Sequence, residues 1–84
     1  MNLQGNLDKI PEPPALEKGK YRHYKGNEYD VIGLAYHSET LEPLVIYKAV
    51  EYKKGAEFWA RPYSMFFDRV TIEGKTVPRF ERID

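Results

Sequence analysis

The run Glu28-Tyr29-Asp30-Val31-Ile32-Gly33-Leu34-Ala35-Tyr36-His37 decides the fold. Tyr29 and Val31 share one face of an extended strand, whereas Leu34 and Tyr36, beyond Gly33, fall on the opposite face. One residue of slip at the glycine restores a single apolar face, which is what a β-bulge does. A strand bent at a glycine curls its sheet, so this run predicts a sheet that bends towards a barrel.

The flanking runs fit that reading. Upstream, Lys20-Tyr21-Arg22-His23-Tyr24 alternates and ends at Lys25-Gly26-Asn27, where Gly26 and Asn27 can take the positive φ of a tight hairpin turn. Downstream, Ser38-Glu39-Thr40-Leu41-Glu42-Pro43 leads into Leu44-Val45-Ile46-Tyr47-Lys48-Ala49-Val50. Strand is favoured there because Val45, Ile46 and Val50 lose side-chain freedom in a helix. The polar stretch from Glu51 to Glu57, with Lys53-Lys54-Gly55, reads as a loop, and Phe58-Trp59-Ala60-Arg61 as a short strand stopped by Pro62. Pro62-Tyr63-Ser64-Met65-Phe66 suits one 3₁₀ turn that carries Met65 and Phe66 into the core. Arg69-Val70-Thr71-Ile72, a turn at Glu73-Gly74-Lys75, and Thr76-Val77-Pro78-Arg79-Phe80 follow, with Pro78 placing the last strand at an edge.

The expectation is an all-β domain over 19–84: a small, partly open SH3-like barrel of five to six short strands with one 3₁₀ turn. An OB-type barrel or a curled meander shares the pattern. Phe58, Met65, Phe66, Val70 and Ile72 are assigned to its core. Residues 1–18 carry Pro11, Pro13 and Pro14, no aromatic residue and only scattered apolar side chains, so they read as a flexible N-terminal arm. The alternative is that Leu16 and Ile10 clip onto the core.

Composition narrows the function classes. Among 84 residues, 13 Lys+Arg balance 13 Asp+Glu, so a strongly electrostatic partner would have to be met by a local patch. There is no Cys, which removes disulfides, and two His without Cys do not make a four-ligand zinc site. No metal or cofactor is expected. No apolar run approaches the roughly 20 residues a bilayer requires, so no membrane partner is expected. Met1-Asn2-Leu3-Gln4-Gly5 has neither a basic leader nor a transit-peptide bias, and the expectation is a cytoplasmic monomer.

Four stretches together carry a resemblance: Gly19-Lys20-Tyr21-Arg22-His23-Tyr24-Lys25-Gly26, Ala35-Tyr36-His37-Ser38-Glu39-Thr40, Val45-Ile46-Tyr47-Lys48-Ala49 and Trp59-Ala60-Arg61-Pro62-Tyr63-Ser64-Met65-Phe66. In this order and spacing they resemble the bacterial domain of unknown function 1653 family, over residues 19 to about 80. The resemblance implies a bacterial stand-alone or fused accessory domain and brings no activity or catalytic residue with it.

The chemistry is sparse. In His37-Ser38-Glu39-Thr40 an imidazole, a hydroxyl and a carboxylate crowd together, but neighbours on an extended chain point to opposite faces, so His37 and Ser38 are poorly placed to pair. Turn bonding by Ser38 and Thr40 is the simpler reading. His23 and His37 with Glu28 or Glu39 lack the spacing of a metal set, and no glycine-rich phosphate loop opens a helix. Trp59 and Arg61, two apart, share a strand face that Tyr47 or Tyr36 can join. Such a cluster can hold a proline-rich or cationic peptide or a planar base, or is simply an Arg covering a core-edge Trp.

The leading reading is therefore a non-catalytic binding module for a protein, peptide or nucleic-acid ligand, with an aromatic–basic surface of Tyr47, Trp59 and Arg61 bordered by His37 and Glu39. A second reading is single-stranded RNA or DNA binding through Lys20, Arg22, Tyr24 and Lys25, since Lys18 to Lys25 holds four cations and no acid. A third is a small-metabolite enzyme using His37 and Glu39 as acid and base. A fourth is a structural appendage that uses the edge strand Thr76 to Phe80 for strand addition.

Overall fold

A computed structural model of the chain describes residues 12–50 and 57–84. The elements are β1 (Gly19–His23), β2 (Glu28–Tyr36), β3 (Pro43–Ala49), β4 (Trp59–Pro62), α1 (Tyr63–Phe66), β5 (Arg69–Ile72), β6 (Lys75–Pro78) and β7 (Phe80–Arg82). Five strands form an antiparallel sheet in the order β4-β3-β2-β1-β7, and β5 and β6 form a separate two-stranded sheet. Among the described residues no ladder joins β4 to β7. The result is the expected small all-β domain, barrel-like and open.

The bulge lies where the apolar pattern changes face. Val31 stands opposite Tyr47 and Gly33 opposite Ile46, which leaves Ile32 as the extra residue. Ile32 is turned outward, 42% exposed, while Val31 is buried and Tyr29 and Leu34 pack on the core from the same side. The β1–β2 hairpin also closes as expected, with Gly26 alone taking the positive φ (110°) and His23 N donating to Asn27 O at 2.8 Å.

The core is largely aromatic. Tyr21, Val31, Val45, Tyr47, Phe66 and Phe80 are buried. Phe66, on α1, stacks on Phe80 of β7 with centroids 4.0 Å apart and planes 5° from parallel. It also meets Tyr21 of β1 and Tyr47 of β3 edge-on at 5.5 and 5.4 Å. One helical side chain thus ties three strands of the curled sheet together, and its edge-on contacts are of the kind that ring quadrupoles favour.

Several details differ from the sequence reading. The helical turn is α rather than 3₁₀: Phe67 N donates to Tyr63 O at 3.1 Å, and the i,i+4 spacing brings the Tyr63 and Phe67 rings to 4.7 Å. Met65 is exposed, because a turn that aims Phe66 inward rotates its neighbour about 100° away. Phe58 and Ile72, also expected inside, are exposed. Phe58 precedes an edge strand, and Ile72 ends a two-stranded sheet with little to pack on. The last run divides into two strands at Arg79, giving seven in all. Arg79 N donates to Asp68 O and Arg79 O accepts from Tyr24 N, so the chain leaves β5 there and crosses to β1.

Residues 12–18 have no regular structure, yet their end is docked. Leu16 packs on the core, Tyr21 Oη donates to Glu17 O at 2.6 Å, and Tyr63 Oη donates to Ala15 O at 2.8 Å. The rest of the arm, with Ile10, and the loop signal Lys53-Lys54-Gly55 lie outside the described residues.

Candidate functional site

The site is built on β4, one edge of the large sheet. Trp59 stands opposite Tyr47 and Arg61 opposite Val45. Directly opposed residues share a face, so Trp59 and Arg61 lie together on the inner, core-bearing face. Because β4 is an edge strand, their side chains emerge at the rim. Trp59 is 52% exposed, and its ring makes no aromatic contact among the described residues.

Tyr47 does not belong to the surface as the sequence reading had it. It is on β3, flanked by β2 and β4, and its buried ring touches Tyr29, Phe66 and Phe80. Only its hydroxyl reaches the rim, accepting a hydrogen bond from Arg61 Nε at 3.4 Å. Arg61 is half-buried and covers Phe80 rather than Trp59, its guanidinium 5.7 Å from the Phe80 centroid. Among the described residues the ion pairs are Arg22–Glu28, Arg79–Asp68 and Arg82–Glu17, so no carboxylate is within ion-pair distance of Arg61.

A residue that the sequence reading weighed only as a metal ligand completes the corner. His23, opposite Phe80 in the β1–β7 ladder, meets that ring edge-on at 4.9 Å and lies 4.4 Å from the Tyr24 ring. Its Nδ1 accepts a hydrogen bond from Lys25 N at 3.1 Å, so the neutral ring carries its proton on Nε2. Burial, and then the charges of Arg61, Lys25 and Arg79, hold its pKa below the ordinary histidine value. The Arg61 guanidinium and the His23 imidazole thus both pack on the Phe80 ring. The nearby carboxylate, Asp68, is engaged by Arg79 through two bonds, Nε–Oδ1 at 2.6 Å and Nη2–Oδ2 at 3.2 Å. That bond is the main reason its pKa is lowered, with the charge of Arg61 a smaller contribution. In a chain of zero net charge this corner is locally positive, with ring faces beside it.

His37 and Glu39 lie elsewhere. His37 Nδ1 accepts from the backbone N–H groups of Glu39 (3.1 Å) and Thr40 (3.3 Å), and Thr40 Oγ1 accepts from Glu42 N (3.2 Å), which is turn chemistry. His37 N bonds Glu42 O, three rungs along the β2–β3 ladder from the Leu34–Val45 pair that adjoins Arg61. At a strand rise of about 3.3 Å per residue this is about 10 Å. The structure does not bring His37 and Glu39 to the border of Arg61.

The basic hairpin divides in two. Lys20 and Arg22 are on the outer face, where Asp30 stands opposite Lys20 and both Glu28 and Glu81 stand opposite Arg22. Arg22 also pairs with Glu28 at 3.6 Å. Tyr24 and Lys25, in the turn, lie beside His23, with Lys25 Nζ 5.9 Å from the Tyr24 centroid. Half of that motif thus lies beside His23 and half faces acids across the sheet.

Other features offer less. A surface depression of about 330 Å³ is lined by Asp30, Lys48, Ala49, Val50 and Glu57 and contains none of the expected site residues. Among the described residues no three His, Cys, Asp or Glu side chains could hold a metal ion, and no helix is long and apolar enough to cross a membrane.

Every residue of the corner, from His23 to Phe80, falls within residues 19–82, the span matched by the model of a family described as a protein of unknown function, DUF1653. The chain belongs to the DUF1653 family. It is similar to a crystal structure of a DUF1653 protein from Bordetella bronchiseptica, with 32% sequence identity and a TM-score of 0.76 over 81% of this chain and 87% of that one. Among curated proteins none matches. The DUF1653 match takes in all seven strands and leaves residues 1–18 outside.

Proposed function

We propose that this DUF1653 protein is a non-catalytic binding module whose aromatic–basic corner receives an anionic group of its ligand on Arg61, with Trp59 covering the adjoining apolar part. The observation that carries this reading is a half-buried guanidinium, packed on Phe80, that has no carboxylate partner among the described residues. A partly desolvated cation is ordinarily paired, and the planar fork of Arg matches a carboxylate or phosphate with two parallel hydrogen bonds. Among the described residues its hydrogen bond is the one to Tyr47 Oη at 3.4 Å, made by Nε, which supports a ligand taken on the outer N–H groups. The half-exposed Trp59 on the same strand face supports an aromatic contact beside that anion.

The acid–base reading of His37 and Glu39 has less behind it, since His37 Nδ1 is taken up in the turn. Nucleic-acid binding centred on Lys20 and Arg22 is weakened by the acids opposite them.

Trp59 is the single tryptophan, so its fluorescence reports on the site directly. The test is titration of the full chain with adenosine monophosphate, benzoate and the tripeptide Glu-Phe-Glu, repeated with Arg61→Gln. At least one probe is expected to change Trp59 emission saturably, with affinity reduced about tenfold or more in Arg61→Gln. No response to any probe, or equal affinity in the variant, would overturn the proposal.

A further inference from the structure

We infer that the ligand presents a nucleotide unit, its base stacked on Trp59 and its phosphate held by Arg61. This rests on the binding-module reading above and specifies what is bound. Two side chains on one strand face, two residues apart, have Cα atoms about 7 Å apart. A base and its own phosphate are separated on that scale. Trp59 offers a ring with no aromatic partner among the described residues, and base stacking needs only such a face. Arg61 is fixed by Phe80 below it and Tyr47 Oη beside it, so its fork is oriented before any ligand arrives.

The surroundings favour phosphate over a peptide carboxylate. His23 packs edge-on against the same Phe80 ring that Arg61 covers, and with Nδ1 taken up by Lys25 N its Nε2–H is left as a donor for a second anionic oxygen. Asp68, the carboxylate near Arg61, is held in a two-bond pair with Arg79, which blunts its repulsion of an anion. An extended peptide would take its main affinity from backbone bonds along β4, and Pro62 removes a donor from that four-residue edge. Free nucleotide and single-stranded nucleic acid present the same base and phosphate, and the experiment separates them.

Backbone amide NMR and calorimetric titrations of the full chain at low salt would use inorganic phosphate, uridine, uridine monophosphate, the pentanucleotide U5 and Glu-Phe-Glu. The expectation is that uridine monophosphate or U5 binds and shifts the Trp59 indole and the Arg61 region. Arg61→Gln then weakens binding roughly 10- to 100-fold, and Trp59→Ala about tenfold, with Trp59→Phe restoring part of it. Circular dichroism of each variant verifies that it is folded. Tight binding of the monophosphate assigns the site to a free nucleotide. Binding of U5 alone, with affinity falling as salt rises, assigns it to a single strand. If phosphate binds as well as the monophosphate while uridine and U5 add nothing, the nucleotide assignment is wrong. If only Glu-Phe-Glu binds, that assignment is wrong and the binding-module reading survives. If no probe binds, both fall.

Discussion

Replacing Phe66 by alanine removes the ring that closes the open barrel. Phe66 is fully buried, stacked on Phe80 and edge-on to Tyr21 and Tyr47, so truncation deletes contacts to β7, β1 and β3 at once. A Phe to Ala change in a core costs about 3–5 kcal/mol. At about 0.05–0.15 kcal/mol per residue, a chain of 84 residues has roughly 4–13 kcal/mol of stability in total. Phe66→Ala therefore removes a quarter of the stability at the least and at the worst leaves no folded protein. Phe66→Leu keeps most of the volume and gives up the ring geometry, costing about 1.5 kcal/mol or less in packing with a further 0.5–1.5 kcal/mol, roughly, for the lost aromatic pairs. Urea unfolding followed by circular dichroism measures both. With an m-value of about 1 kcal/mol/M for a small domain, the alanine midpoint falls by about 3 M or the transition disappears. A loss below about 1 kcal/mol for Phe66→Ala would refute the reasoning, because the single helical turn would then not be part of the cooperative core.

Three further outcomes follow from the same geometry. His23 has a folded pKa below its ordinary 6.5, through burial and then the charges of Arg61, Lys25 and Arg79. As pH falls below 6.5 the unfolded chain takes up that proton first, so stability is complete above this pH and declines through the acid range towards the folded value. His23→Gln should flatten that part of a melting-temperature profile, and an unchanged profile would count against a half-buried imidazole whose charged form is disfavoured in the fold. Gly19 has φ +128°, and a Cβ there would sit 2.9 Å from Asp84 O, whereas a Cβ on Gly33 would meet only Lys18 Cε at 3.8 Å. In chemical denaturation Gly19→Ala should cost more than about 1 kcal/mol, while Gly33→Ala should be neutral or stabilising; equal effects would contradict this. Asp68→Asn should speed amide exchange at Arg79 and Tyr24, since the Asp68–Arg79 pair fixes the crossing from β5 to β1. Unchanged exchange there would mean the backbone bonds suffice alone.

The fold was legible where period and face conflict inside one strand. Tyr29 and Val31 against Leu34 and Tyr36 require a slip, and the slip leaves Ile32 outside. Burial at strand ends was less legible, because apolar character does not tell whether a neighbouring layer exists. Phe58, Met65 and Ile72 are as apolar as Phe66 but have little above them. The pairing of Trp59 with Arg61 followed from period two alone. The corner around it did not, since His23, Lys25, Arg61, Asp68 and Arg79 meet only through the β1–β7 ladder and the Arg79 crossing. Tyr47 was misplaced for a related reason: its position between β2 and β4 under Phe66 depends on strand order. His37 stood out as a cluster with Ser38 and Glu39, although what adjacent polar residues at a strand end most often do is bond the turn's own backbone.

The central claim is that ligand is taken on the inner rim at Arg61 and Trp59. Its most direct test is a map of amide and side-chain N–H shifts for the labelled full chain titrated with uridine monophosphate at low salt. The account predicts saturable shifts of the Trp59 indole N–H, the Arg61 Nε–H and the His23 and Lys25 amides, all of them lost in Arg61→Gln. Shifts confined to Lys20, Arg22 and the outer face, or to His37–Thr40, would contradict it.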